Sequence, residues 1–111
     1  MEKNIIFHVT SSPYANLNNY EALRTAMSLF DHKVSVIWGG DGIFYPLNGS
    51  DKTTTQPFLR LMKDLNIPLY VDLDDLKKRG VSNDEVIAEV TPLAHDRKTE
   101  MLATANVVLS F

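Results

Sequence analysis

The sequence predicts an α/β fold, with a single three-layer α/β/α domain over residues 1–111 and a mostly parallel sheet of about five strands. Short apolar runs alternate with amphipathic segments, and only a few residues connect them. Residues 34–38 are apolar at nearly every position, which is typical of a strand covered on both faces. This alternation indicates right-handed βαβ units around a parallel sheet.

The first half of the chain contains two predicted strands and one long helix. The first strand covers residues 5–9 and ends at the polar loop 10–13. From Leu17 to Phe30, apolar residues recur at spacings of three and four, forming one face of a helix that Asn16 or Asn18 is placed to cap. The second strand, 34–38, leads into a glycine loop at 39–42. Residues 43–47 then predict a short helical turn.

The second half repeats the pattern. Pro57 lies near the start of a helical stripe that runs to Leu65, where its missing amide costs little. A strand at 67–71 and a short acidic helix at 73–78 follow. We expect a fourth strand within 86–93 that is interrupted late by Pro92, a helix at 96–103 capped by Asp96, and a fifth strand at 107–109.

Composition limits the possible functions. Fourteen acidic against eleven basic residues give a net charge of −3 and a pI near 5.5, so we expect no direct nucleic-acid binding. No apolar run approaches the ~20 residues of a membrane span, and the first residues do not resemble a signal peptide, so a cytoplasmic location is expected. The absence of cysteine excludes disulfides, thiolate metal sites and cysteine nucleophiles.

The glycine loop fits a dinucleotide fingerprint poorly. Gly40 and Gly42 match its first two glycines, but Tyr45 stands where the third belongs, and no Walker lysine follows. We therefore interpret the loop as a sharp turn or a protein contact. Binding of a small anion is the alternative.

Three carboxylates follow the third predicted strand, at the edge where parallel sheets usually bind ligands. Asp72, Asp74 and Asp75 suggest magnesium or a phospho-acceptor site. A receiver domain would also have an acidic pair after the first strand and a lysine after the fifth, and this sequence has neither. We therefore interpret Asp72 as a helix cap and the other two as favourable charges in the first helical turn.

No other polar pattern indicates catalysis. The three histidines have no ligand-like neighbours at i,i+3 or i,i+4, and no nucleophile elbow surrounds Ser11 and Ser12. We expect no cofactor, no metal site and no catalytic residue. Several aromatic side chains fall in loops, which in a small domain indicates an interface. The predicted interface residues are Tyr14, Gly40, Asp41, Gly42, Phe44 and Tyr45.

Five segments in order, "SSPYA", "GGDGIFYPLNG", "LKKRGV", "VTPLA" and "ANVVLSF", resemble the DsrE/DsrF-like sulfur-relay family, specifically its TusC/DsrF-like branch. The resemblance implies a subunit of a sulfurtransferase assembly. In such assemblies three related small chains form a heterohexamer that accepts persulfide sulfur and passes it on. The implied partners are DsrE/TusD-like and DsrH/TusB-like subunits, or further copies of this chain in a trimer or hexamer.

The resemblance also places the persulfide cysteine of the catalytic sister subunit at Asp72. A carboxylate cannot hold transferable sulfur, so the chain is expected to be a non-catalytic subunit and no enzyme by itself. The pathway served would be 2-thiouridine formation in tRNA or sulfur oxidation. Two alternatives stay open: a small-ligand or nucleotide-binding α/β domain, and an orphan homo-oligomer of the same fold.

Overall fold

A computed structural model describes residues 2–111, and it confirms the predicted parallel α/β fold. The strands are β1 (Asn4–Val9), β2 (Lys33–Trp38), β3 (Leu69–Asp72), β4 (Thr91–Leu93) and β5 (Val107–Ser110). The helices are α1 (Asn18–Ser28), α2 (Gln56–Asp64), α3 (Leu73–Lys78) and α4 (His95–Thr104), with 3-10 turns at Gly40–Phe44 and Asn83–Glu85. All neighbouring strands are parallel, in the order β4-β3-β2-β1-β5.

The two faces of the sheet are covered unequally. The larger core packs Phe7, Trp38 and Val71 against α1, α2 and α3. On the opposite face, Ile6 and Ile37 pack with Met101 and Leu102 of α4, which connects the two edge strands β4 and β5. The third layer therefore consists of one ten-residue helix.

Two predicted elements differ from the observed ones. The predicted fourth strand, 86–93, contracts to Thr91–Leu93, because 86–90 forms a loop in which Val86 makes one antiparallel bridge to Leu47. Pro92 lies inside β4, where it is tolerated because β4 is an edge strand. The helical turn expected at 43–47 begins earlier, at Gly40, and ends at Phe44.

Two predicted helix caps are replaced by other residues in the structure. Asp96 does not cap α4: the cap position is Ala94, and the Asp96 carboxylate instead accepts a hydrogen bond from the amide of Arg97 at 2.9 Å. At α1, neither Asn16 nor Asn18 is the cap: the cap position is Leu17, which makes no side-chain cap hydrogen bond, and Asn16 Oδ1 accepts a hydrogen bond from the amide of Asn18 at 2.9 Å just before the helix.

Tyr45, predicted as an interface residue because it falls in a loop, is instead buried. Its side chain is 1% exposed and stacks on Trp38 with ring centroids 5.3 Å apart. Its hydroxyl shares a hydrogen bond of 2.5 Å with Thr55 Oγ1. The loop after β2 folds back over the core, so Tyr45 belongs to the interior and its side chain cannot contact a partner.

The hydroxyl of Tyr45 should ionise only at a higher pH than that of an ordinary tyrosine. Burial raises its pKa to about 12, against a smaller opposite effect of the Thr55 hydrogen bond. Since the folded state holds this proton more tightly than the unfolded chain, the resulting stabilisation is present below pH 10 and is lost between pH 10 and about 12. In a phenolate absorbance titration, we expect Tyr45→Phe to remove the step near pH 12. A late step that survives in this variant would contradict the assignment.

Candidate functional site at the carboxyl ends of the strands

A polar cluster lies where β1, β2 and β3 end and α4 begins. Strand register pairs Asp72, the last residue of β3, with Leu93 of β4, so His95 two residues later begins α4 beside Asp72. Parallel strands bring their carboxyl ends to one edge of the sheet, which explains why residues distant in sequence meet here.

Asp72 is the centre of the cluster and is fully buried. Its Oδ1 accepts the amides of Asp74 at 2.9 Å and Asp75 at 3.1 Å, which confirms the predicted cap of α3. Its Oδ2 lies 2.5 Å from Lys98 Nζ and 3.5 Å from His95 Nδ1. The Lys98 contact is a close ion pair, but its direction is not that of a well-aligned hydrogen bond.

Lys98 is the buried residue of α4, with 8% of its surface exposed. Lysine is almost never buried without a partner, and here the partner is Asp72. Burial alone would raise the pKa of Asp72, but Lys98, the Asp75 amide and His95 together lower it below its usual value. The carboxylate is therefore ionised, and the pair fixes α4 to the end of β3.

The glycine loop joins the cluster through its backbone. The amide of Gly40 donates to Asp75 Oδ2 at 2.7 Å. Arg79 lies 3.8 Å from the same carboxylate and 3.2 Å from that of Asp41, whose side chain is 64% exposed. Because a carboxylate of the protein already occupies the Gly40 amide, the loop does not present it to a phosphate.

Gly42 allows the loop to approach β1 closely. A Cβ at this position would lie 2.3 Å from the carbonyl oxygen of Val9, far inside contact distance. Gly40 has a different role, since its φ of +52° is a conformation that favours glycine. Both glycines therefore serve the turn itself.

His8 belongs to the site although its sequence position did not indicate it. Its Nε2 is buried without a hydrogen-bond partner. A Cβ on Gly39 would lie 3.2 Å from this atom and 3.2 Å from Asp75 Oδ2, which shows how closely they converge. Burial and, next, Lys98 lower the pKa of His8, against smaller opposite effects of Asp72 and Asp75. The only available signal was a polar residue inside an apolar strand.

The predicted interface residues are not equivalent in the structure. Tyr14 is 73% exposed and Leu17, which was not predicted, is 74% exposed in the same loop after β1. Phe44 is half-buried against the larger core, and Gly42 is buried. Because Tyr45 is buried, it does not count toward the predicted interface. The interface assignment stays a prediction that rests mainly on Tyr14 and Asp41.

The topological switch point of the sheet lies between β1 and β5, where open α/β sheets usually bind ligands. Here the amides of Thr10 and Ser11 both donate to the carbonyl oxygen of Phe111 at 3.3 Å. The Ser11 hydroxyl donates to the same oxygen at 2.9 Å. The polar groups at the switch point are thus used within the chain.

Within residues 2–111, no group of three or more His, Asp or Glu side chains is arranged to hold a metal ion. A cleft of about 390 Å³ lies where β3 and β4 begin, beside Lys63, Tyr70 and Glu89. No helix in this described range is both long and apolar enough to cross a bilayer.

A family model for the DsrE/DsrF-like family matches residues 3–111. The chain belongs to the DsrE/DsrF-like family. The resemblance inferred from the five sequence segments is thereby confirmed at the family level. The resemblance assigned a persulfide cysteine of a sister subunit to the position of Asp72, which in this chain forms the buried ion pair with Lys98, and that assignment stays a prediction.

Individual relatives agree with the family. The chain is 27% identical over 93 residues to the intracellular sulfur oxidation protein DsrF of Allochromatium vinosum, covering 77% of this chain and 68% of that protein. The ychN protein from E. coli has a similar structure, with a TM-score of 0.83, 21% identity and full coverage of both chains. A protein of unknown function, MTH1491 from Methanobacterium thermoautotrophicum, superposes with a TM-score of 0.74 at 10% identity over 99% of this chain and 100% of its own. The two structures establish the fold of this DsrE/DsrF-like chain.

Proposed function

We propose that this DsrE/DsrF-like chain is a non-catalytic subunit of a sulfur-relay complex that acts by assembling with a cysteine-bearing partner. The observation that carries the proposal is the buried Asp72–Lys98 ion pair at the position assigned to the persulfide cysteine. A carboxylate neutralised by an ammonium group neither attacks a persulfide nor carries its sulfur. The chain has no cysteine elsewhere to do so.

The family and the name of the DsrF relative support a role in sulfur transfer. That name favours sulfur oxidation over 2-thiouridine formation in tRNA, and it also supports the expected cytoplasmic location. The proposed partners are DsrE/TusD-like and DsrH/TusB-like subunits, or further copies of the chain. Nucleotide binding receives no support from the glycine loop, whose Gly40 amide is bonded to Asp75.

The exposed loop after β1 is the best candidate for the docking surface. Tyr14 and Leu17 expose about three-quarters of their surface, and they lie at the edge of the sheet that carries the polar cluster. Tyrosine is enriched in the buried centres of interfaces, and Leu17 adds apolar area beside Tyr14.

Co-purification from the native host tests the proposal. We expect the tagged chain to retain a cysteine-bearing DsrE-like chain, and we expect Tyr14→Asp combined with Leu17→Asp to lose it, because an unpaired charge buried in an interface costs several kcal/mol. Phe30→Asp is the matched control. Phe30 is 61% exposed, but it lies just before β2, where the strands begin, and so on the side of the sheet away from the polar cluster. This variant should retain the partner.

Two outcomes would reject the proposed function. One is the absence of any cysteine-bearing chain from the wild-type preparation. The other is recovery of labelled sulfane sulfur covalently attached to the purified chain alone, since this sequence has no thiol to carry it.

A further inference from the structure

We propose that His95, oriented by Asp72, is an acid–base residue that this subunit supplies to a cysteine thiol of its sulfur-relay partner. The inference rests on the proposed function and deepens it. The chain would carry no sulfur, but it would move the proton that sulfur transfer requires.

The geometry places His95 between the buried carboxylate of Asp72 and the protein surface. Its Nδ1 faces Asp72 Oδ2 at 3.5 Å, while 57% of the side chain is exposed and that of Asp72 is fully buried. Contacts of this length are common between acid–base residues when no substrate is bound, and they shorten in the reacting complex. A proton on Nδ1 directed at the carboxylate leaves the lone pair of Nε2 free to accept another proton.

The surrounding charges keep Asp72 in the form that this role needs. Lys98 lies one helical turn after His95 and contacts the same Oδ2 at 2.5 Å. The pKa of Asp72 is lowered, so its carboxylate stays ionised and can orient the imidazole and stabilise it once protonated. His8 cannot replace His95, because its Nε2 is buried within the cluster.

The proposed step balances without any added oxidant or reductant. Nε2 of His95 takes the proton of the partner's thiol R–SH, and the thiolate attacks the outer sulfur of a donor persulfide R′–S–SH. The donor S–S bond breaks as the new one forms. The departing R′–S⁻ then receives the proton from the imidazolium of His95. The products are R–S–SH and R′–SH, with no net change in oxidation state.

The test uses the complex co-purified from the native host. Glutathione persulfide serves as the sulfur donor, and mass spectrometry follows the rate at which the cysteine-bearing subunit becomes persulfidated. Loss of a general acid–base group costs typically 10²–10⁴-fold, so we expect His95→Gln to slow the transfer about 100-fold with unchanged subunit composition. Added imidazole should partly restore the rate of His95→Ala.

The control is His32→Gln. His32 lies just before β2, where the strands begin, and its Nδ1 accepts a hydrogen bond from the amide of Lys3 at 3.1 Å. This variant should transfer sulfur at the wild-type rate. A His95→Gln complex of normal composition whose rate lies within about twofold of wild type would overturn this inference alone, since a general acid–base group is worth far more. Failure to isolate any cysteine-bearing chain would instead reject the proposed function, and this inference with it.

Discussion

Lys98→Met is expected to lower the free energy of unfolding by about 3–5 kcal/mol, the usual cost of removing one partner of a buried ion pair. The side chain of Asp72 is fully buried and that of Lys98 is 11% exposed, so water cannot replace the lost ammonium group. Urea denaturation at neutral pH measures the change. Lys78→Met is the matched control, because Lys78 is exposed at the end of α3 and its loss should cost at most about 0.5 kcal/mol.

The same pair predicts a dependence on pH. The pKa of Asp72 is lower in the folded state, so its stabilisation is present above the ordinary value of 3.8 and is lost as the pH falls through the folded pKa. In Lys98→Met, the stability lost as the pH falls should be smaller than in the wild-type chain. Adding Asp72→Asn should recover part of the stability at neutral pH, because it removes the unpaired charge. Equal stability of Lys98→Met and Lys78→Met would show that the buried pair contributes nothing.

Gly42→Ala is expected to cost about 3 kcal/mol or more, at the upper end of the effects of overpacking. The new Cβ would lie 2.3 Å from the carbonyl oxygen of Val9, and a backbone atom of the internal strand β1 cannot yield as a flexible side chain does. The 3-10 turn would have to move away from β1 and take Tyr45 out of its stacking contact with Trp38. Thermal unfolding followed by tryptophan fluorescence should detect both the loss of stability and the altered environment of Trp38.

Alanine substitutions at two other glycines distinguish the cost of a close contact from the cost of backbone strain. Gly49→Ala meets no atom within 4 Å and should be nearly neutral. Gly80→Ala also meets open space, but its φ of +69° should cost about 1–2 kcal/mol. If Gly42→Ala were no less stable than Gly80→Ala, the close approach of the loop to β1 would not be a constraint on the fold.

Several elements of the fold could be predicted from local pattern. The buried strands β1 and β2 and the helices α1, α2 and α3 agree with prediction to within a few residues, because each is specified by apolar periodicity and by nearby turn or capping residues. The fourth strand was predicted too long. Apolar residues in 86–90 are compatible with a strand, but only the position of β3 decides which of them can pair.

The candidate site could be predicted only in part. Asp72 was identified correctly as a cap because a cap and its amides are close in sequence. Its pairing with Lys98 joins residues from β3 and α4, which no short-range pattern relates. Tyr45 was assigned to an interface because loop aromatics are often exposed, whereas here Trp38 and Thr55 enclose it.

The sequence by itself determined the parallel α/β fold, membership of the DsrE/DsrF-like family and the absence of any thiol, because periodicity, family motifs and composition are properties of the linear chain. Only the tertiary structure decided that Asp72, Lys98, His95 and His8 form one cluster and that Tyr45 is part of the core. The physical reason is that burial and ion pairing depend on which strand ends become neighbours, and this is decided when all five strands assemble.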